Sequence, residues 1–148
     1  IKAAHPELHV KAMTAAEIDF LSRHYGLSYD EVIEKMLKYG VDSMPGGGAE
    51  IFDEEIRAKI CKGKVSGENW LKIHKMWHDK GRQSNATMLF GHIESRENRI
   101  DHMLRIRDLQ DETGGFNAFI PLVYLRENNY LKDVKFLGSA EILKTIAI

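Results

Sequence analysis

Extended and helical stretches take turns along the chain. His9-Val10-Lys11-Ala12-Met13 alternates as a half-buried strand after the break at Pro6. Thr14-x-x-Glu17 fits a capping box and predicts a helix to about Tyr25, stopped by Gly26. Ser28-x-x-Glu31 opens a second helix, Tyr29 to Tyr39, with Val32, Ile33, Met36 and Leu37 on one face. A second strand, Val41-Asp42-Ser43, leads into the loop Met44-Pro45-Gly46-Gly47-Gly48-Ala49-Glu50. Asp53 to Cys61 reads as a short helix with acids in its first turn and bases in its last. Ser66 caps a long helix to about Lys80, with Trp70, Leu71, Ile73 and Trp77 as its apolar stripe.

The third strand is Gln83 to Phe90, with Asn85, Thr87 and Leu89 on one face and Ala86, Met88 and Phe90 on the other. Gly91-His92-Ile93-Glu94 follows as a loop. Ser95-x-x-Asn98 starts a helix to about Thr113 whose apolar positions are Ile100, Met103, Leu104, Ile106 and Leu109. The fourth strand is Ala118 to Val123, and a polar loop, Arg126 to Lys135, leads to a last helix from Ser139. Four strand–loop–helix units argue for an α/β fold with parallel pairing, its helices long enough to be crossovers. A portion of a (βα) barrel fits best, with a doubly wound open sheet as the alternative. Either places ligands at the carboxyl ends of the strands. Thr14, the glycine loop, the Gly91–Glu94 loop and the segment after Pro121 then share one rim.

Three adjacent glycines each give up roughly 0.5–1 kcal/mol relative to Ala. They imply positive φ or a close approach of backbone to something else, and Glu50 adds a carboxylate there. A ligand cradle and a plain tight turn both fit the loop by itself.

At 148 residues the chain fits one domain with a real core. A formal charge of −1, from 21 basic and 22 acidic residues, gives no footprint for nucleic acid or anionic membrane. No apolar run approaches the roughly 20 residues that span a bilayer. One cysteine, Cys61, excludes an internal disulfide framework and favours a reducing, cytoplasmic setting. The chain opens at Ile1 and closes on an apolar helix without a C-cap signal, which suggests an excerpt of a longer chain, and exposed sheet edges in such an excerpt suggest self-association.

Three strings are more specific: Ser43-Met44-Pro45-Gly46-Gly47-Gly48-Ala49-Glu50-Ile51, Ala86 to Glu94, and Asp108 to Phe116 with Phe119-Ile120-Pro121-Leu122. In this order they resemble the radical S-adenosylmethionine enzymes of menaquinone (futalosine) and deazaflavin biosynthesis. Gly91-His92-Ile93-Glu94 and Pro121-Leu122-Val123-Tyr124 with Asn128-Asn129-Tyr130-Leu131 look most like the aminofutalosine synthase branch. The related branches are cyclic dehypoxanthine futalosine synthase and the deazaflavin-forming enzymes. The resemblance implies a partial TIM-type barrel, with residues 1–148 covering about its third to sixth strands and truncated at both ends. It implies S-adenosylmethionine, a 4Fe–4S cluster on a C-x3-C-x2-C motif, and an electron donor for that cluster. It also implies addition of a 5′-deoxyadenosyl radical to 3-[(1-carboxyvinyl)oxy]benzoate. The three-cysteine motif is absent here, so the chain alone is expected neither to hold the cluster nor to be active, and no metal ligands are assigned.

The resemblance places Ser43, Gly46, Gly47, Gly48, Glu50, Gly91 and Glu94 toward S-adenosylmethionine, Glu50 suiting two vicinal ribose hydroxyls. It places Asn85, Thr87, His92, Thr14, Glu17, Phe119 and Pro121 toward the aryl substrate. Capping alone explains Thr14 and Glu17, and core packing alone explains Phe119 and Pro121. A non-catalytic nucleoside-binding scaffold accounts for the same loops. His74 and His78, four apart on one helix, have metal-pair spacing but no evident third ligand. Arg96, Arg99, Arg105 and Arg107 interleave with Glu97, Asp101 and Asp108 and read as a solvated helix face.

Overall fold

Helices form behind each side chain that the pattern assigns as a cap. The computed structural model describes residues 1–131 and 133–148; Lys132, in the polar loop expected over 126–135, lies outside the described residues. The helices are α1 (Ala15–Tyr25), α2 (Tyr29–Lys38), α3 (Glu54–Ile60), α4 (Gly67–Asp79), α5 (Arg96–Thr113) and α6 (Ser139–Ile146). Thr14/Glu17, Ser28/Glu31 and Ser95/Asn98 form complete capping boxes, and Asp53 and Ser66 cap α3 and α4 singly.

The sheet holds three parallel strands in chain order, β1 (Ser43–Met44), β2 (Gln83–Phe90) and β3 (Phe116–Val123). Four strands were expected. The segment around Lys11 does run parallel to β1, but it forms only an isolated bridge between Lys11 and Ser43. Two local features shorten it. The Asp42 carboxylate takes the Val10 N–H at 2.7 Å, and Met13 turns left-handed (φ 65°) to enter the α1 cap. β1 starts later than expected, at Ser43, and β3 earlier, at Phe116.

Pairing fixes which side chains share a face. Ala86, Met88 and Phe90 pair with Phe119, Pro121 and Val123, and Thr87 and Leu89 pair with Ile120 and Leu122. A bulge between Ser84 and Asn85 resets this phase, since Ser84 pairs with Phe116 and Asn85 with Ala118. Ser84, Ala86, Met88 and Phe90 are buried, while Asn85, Thr87 and Leu89 are half-buried. The sheet thus has a face covered by α4 and α5 and an open face. Trp70, Ile73 and Trp77 of α4 form the main core with Ile18, Ile33, Met44, Phe52 and Ala86. Leu71, expected in that stripe, is only partly buried. A smaller cluster joins Ile51, Met88 and Phe90 to Met103, Leu137 and Ile142. The apolar stripe expected on α5 is only partly used. Ile106 and Leu109 are buried, but Ile100 and Leu104 are exposed, and Arg99 and His102 are buried in their place. No described helix is long and apolar enough to cross a membrane.

The His74/His78 spacing serves the core. His74 Nδ1 and His78 Nε2 lie 2.8 and 2.7 Å from Ser84 Oγ, and His78 Nδ1 lies 2.8 Å from Thr113 Oγ1. The Thr113 hydroxyl donates to Leu109 O, so it must accept from His78 Nδ1–H. His78 Nε2 is then an acceptor, Ser84 donates to it, and His74 donates to Ser84. The unpartnered His74 Nε2 is therefore a bare lone pair. His102 donates from Nε2 to Thr87 O at 2.9 Å and keeps its lone pair at Nδ1, also unpartnered. An unpartnered lone pair avoids burying an unsatisfied N–H.

Burial pushes His78 and His102 down to about 4 and His74 well below its usual range. Unfolded histidines titrate near about 6.5, so between these values the unfolded state binds more protons than the folded one. The stability contributed by the neutral rings is full above about pH 6.5 and declines as pH falls toward 4. The urea midpoint should drop between pH 7.5 and pH 5; a constant midpoint would show that these rings are not held neutral.

Candidate functional site

The carboxyl ends of the strands carry two loops, each fixed by a buried charged side chain. Arg57, in α3, is 3% exposed and has no carboxylate closer than Glu54, 4.0 Å from Nε. Its guanidinium donates to Ala49 O (2.5 Å), Ile51 O (3.0 Å), Gly48 O (3.1 Å) and Val65 O. Thr87 Oγ1 donates to Gly46 O at 2.7 Å, Trp70 Nε1 to Gly47 O at 3.3 Å, and Leu89 N–H to Glu50 O at 2.8 Å. Every carbonyl from Gly46 to Ile51 is therefore held by the protein. Among the described residues, the N–H groups of Gly46, Gly47, Gly48, Ala49 and Glu50 have no acceptor. Such one-sided engagement leaves the donor edge of the loop without a protein partner.

The three glycines have internal reasons as well. A Cβ on Gly46 would lie 2.7 Å from Asn85 O, and one on Gly47 would lie 3.0 Å from Thr14 Cγ2. Gly48 has φ +90° and approaches Ala16. The glycine demand thus comes from close packing on β2 and α1. Glu50, at the end of the loop, is left-handed (φ 49°), uncommon for a residue with a long side chain. Its carboxylate pairs with Lys64 at 3.1 Å and is mostly shielded.

In the second loop Glu94 turns inward. It accepts from Gly91 N–H (2.6 Å), His92 N–H (2.8 Å) and Arg99 Nε (2.7 Å). Arg99 also reaches Thr145 Oγ1 at 3.0 Å and Glu141 at 3.4 Å in α6. His92 donates from Nε2 to Leu89 O at 3.0 Å and accepts from Ile93 N–H at 2.8 Å, and burial lowers its pKa. Tyr124 stands edge-on to His92, and its hydroxyl is buried without a partner.

The other residues named from the sequence divide by face. Thr14 and Glu17 bond each other as a capping pair beside Gly47. Ser43 is buried and its hydroxyl lies 2.7 Å from His9 Nε2. Asn85 and Thr87 point to the open face. Phe119 and Pro121 point to the covered face, where the Phe119 ring lies 6.5 Å from that of His102. The structure does not bring these two together with Asn85 and Thr87, because the bulge puts them in phase with Ala86 and Met88.

Arg57, Arg99 and Tyr124 were missed in the sequence. Arg57 sits among bases that suit a helix end, and Arg99 among alternating charges. Neither setting marks a residue that will be buried.

A three-thiolate cluster does not fit the donors present. Cys61 is half-buried with its thiol pushed up by burial, and no group of three His, Cys, Asp or Glu among the described residues could hold a metal.

A parallel α/β layer with a glycine loop and an acid-locked loop at its carboxyl edge has the layout of the strand-end rims at which α/β enzymes bind small molecules. No family model matches the chain. It is 53% identical over 141 residues to the aminodeoxyfutalosine synthase of Thermus thermophilus, covering 95% of this chain and 37% of that protein. It is 42% identical to the cyclic dehypoxanthine futalosine synthase of Streptomyces coelicolor, covering all of this chain and 37% of that protein. Against a 5-amino-6-(D-ribitylamino)uracil–L-tyrosine 4-hydroxyphenyl transferase of Methanosarcina acetivorans it is 40% identical, over 87% of this chain and 34% of that one. The chain belongs to this group, the radical S-adenosylmethionine enzymes of the futalosine and deazaflavin routes, and spans well under half the length of the relatives it matches.

Replacing Arg57 by Met leaves four carbonyls without their donor, at about 1–3 kcal/mol for each one left unsatisfied. Denaturant unfolding should show a loss of about 3 kcal/mol or more. Arg57→Lys should recover only part of it, because an ammonium cannot fork to four acceptors.

Proposed function

We propose that residues 1–148 are the S-adenosylmethionine- and substrate-binding arc of an aminofutalosine synthase-like enzyme, covering about the third to sixth strands of a partial barrel. Strand order favours the barrel over a doubly wound sheet. Parallel neighbours in chain order, joined by right-handed crossovers, put all connecting helices on one face. The open face is then the inside wall.

The observation that carries the reading is the glycine loop, with its carbonyls held by protein and its N–H groups without acceptors. In this reading those N–H groups and Glu50 face the adenosyl moiety. Gly91 and Glu94 shape the adenine side, with Glu94 holding the loop from within. Asn85 and Thr87 face 3-[(1-carboxyvinyl)oxy]benzoate, His92 shapes that side from within its loop, Thr14 and Glu17 border it, and Ser43 lies beneath. Phe119 and Pro121 support the wall from behind. The three thiolates that a 4Fe–4S cluster would require are not among these residues, so this arc would bind S-adenosylmethionine without supplying the cluster's reductive chemistry, and the chain alone is inactive.

Adenosine titrated into the chain labelled with nitrogen-15 should shift the amides of residues 46–50, and Glu50→Gln should weaken S-adenosylmethionine binding in calorimetry. Unmoved amides with unchanged affinity would remove the loop from the site. The unpaired β3 edge should also drive self-association, and a monodisperse monomer by light scattering would count against it.

A further inference from the structure

The open face carries a cluster of polar side chains drawn from three separate segments. Lys11 is the bridge partner of Ser43, His9 lies two residues before it on the same side, and Asn85 projects from β2. The Asn85 amide is oriented by its neighbours, its N–H donating to Ser84 O at 3.3 Å and its oxygen accepting from Lys11 Nζ at 3.1 Å. His9 Nε2 and Ser43 Oγ lie 2.7 Å apart.

Lys2, Lys64, Lys75 and Lys80 each have a carboxylate within 4.0 Å. Among the described residues Lys11 has none, as is also true of Lys35, Lys38 and Lys59, but its ammonium is held by the Asn85 amide oxygen. An amide oxygen aims the ammonium without neutralising it. Beyond this cluster on the same face lie Thr87, Leu89, Ile120 and Leu122, with Ile120 and Leu122 39% and 48% exposed. A fixed, uncompensated cation therefore adjoins an apolar floor.

We infer that Lys11, positioned by Asn85, is a binding site for the carboxylate of a small molecule whose body is flat and apolar, such as a substituted benzoate. A single cation with hydroxyl and imidazole neighbours suits one carboxylate; a phosphate would call for more charge. The inference rests on the open face being the inner wall of the proposed enzyme, and it adds Lys11 and His9 to that wall.

Isophthalate is the probe, titrated into the labelled chain with benzamide as the uncharged control and adenosine in a separate series. Isophthalate should shift Lys11, Ser43 and Asn85 saturably, and benzamide should not. Lys11→Met should weaken isophthalate about ten-fold, the loss of one charge-assisted hydrogen bond. Lys11 is exposed, so the variant should keep the parent thermal midpoint, which checks its fold. Isophthalate that leaves these residues unmoved, or binds the variant equally well, overturns the site even if adenosine still shifts residues 46–50. Isophthalate binding at Lys11 with adenosine silent supports the site and overturns the adenosyl reading of the loop.

Discussion

One buried guanidinium sets the shape of the rim. Arg57 has no close carboxylate, so carbonyl dipoles replace the water around it. That exchange is favourable only if the carbonyls converge, which ties the backbone from Gly48 to Ile51 and the turn at Val65 into one orientation. With the carbonyls committed inward, the N–H groups of the loop have no internal use. Structure and candidate binding are therefore two sides of one constraint.

The second loop is built by the same logic with the opposite sign. There a carboxylate, Glu94, gathers backbone N–H groups and is neutralised by Arg99, which reaches on to α6. A buried cation organises one loop through its carbonyls, and a buried anion organises the other through its amides. Glu94 spends its carboxylate on its own loop and on Arg99.

Local chemistry was legible in the sequence and long-range pairing was not. The caps at Thr14, Ser28, Asp53, Ser66 and Ser95 act within three residues, so the helices could be read directly. The glycine demand was legible too, though its causes, the Asn85 carbonyl, Thr14 and Ala16, lie far along the chain. His74 and His78 showed a spacing but not Ser84 and Thr113, the partners that define it. The strand at His9–Met13 failed because Asp42 competes for its ladder, a contact no periodicity reports.

The bulge at Ser84/Asn85 lets one strand serve two helices. Phe116 and Phe119 are three residues apart, a spacing that in a regular strand would set them on opposite sides. The extra residue instead brings Phe116 against Trp70 and His74 of α4 and turns Phe119 toward His102 of α5. Were Asn117 paired with Asn85 in a regular ladder instead of bulged, Ala118 would face Ala86 and Phe119 would come out beside Thr87, leaving the space near His102 unfilled. The insertion thus keeps an aromatic ring off the open face, and the room there depends on a single residue of register.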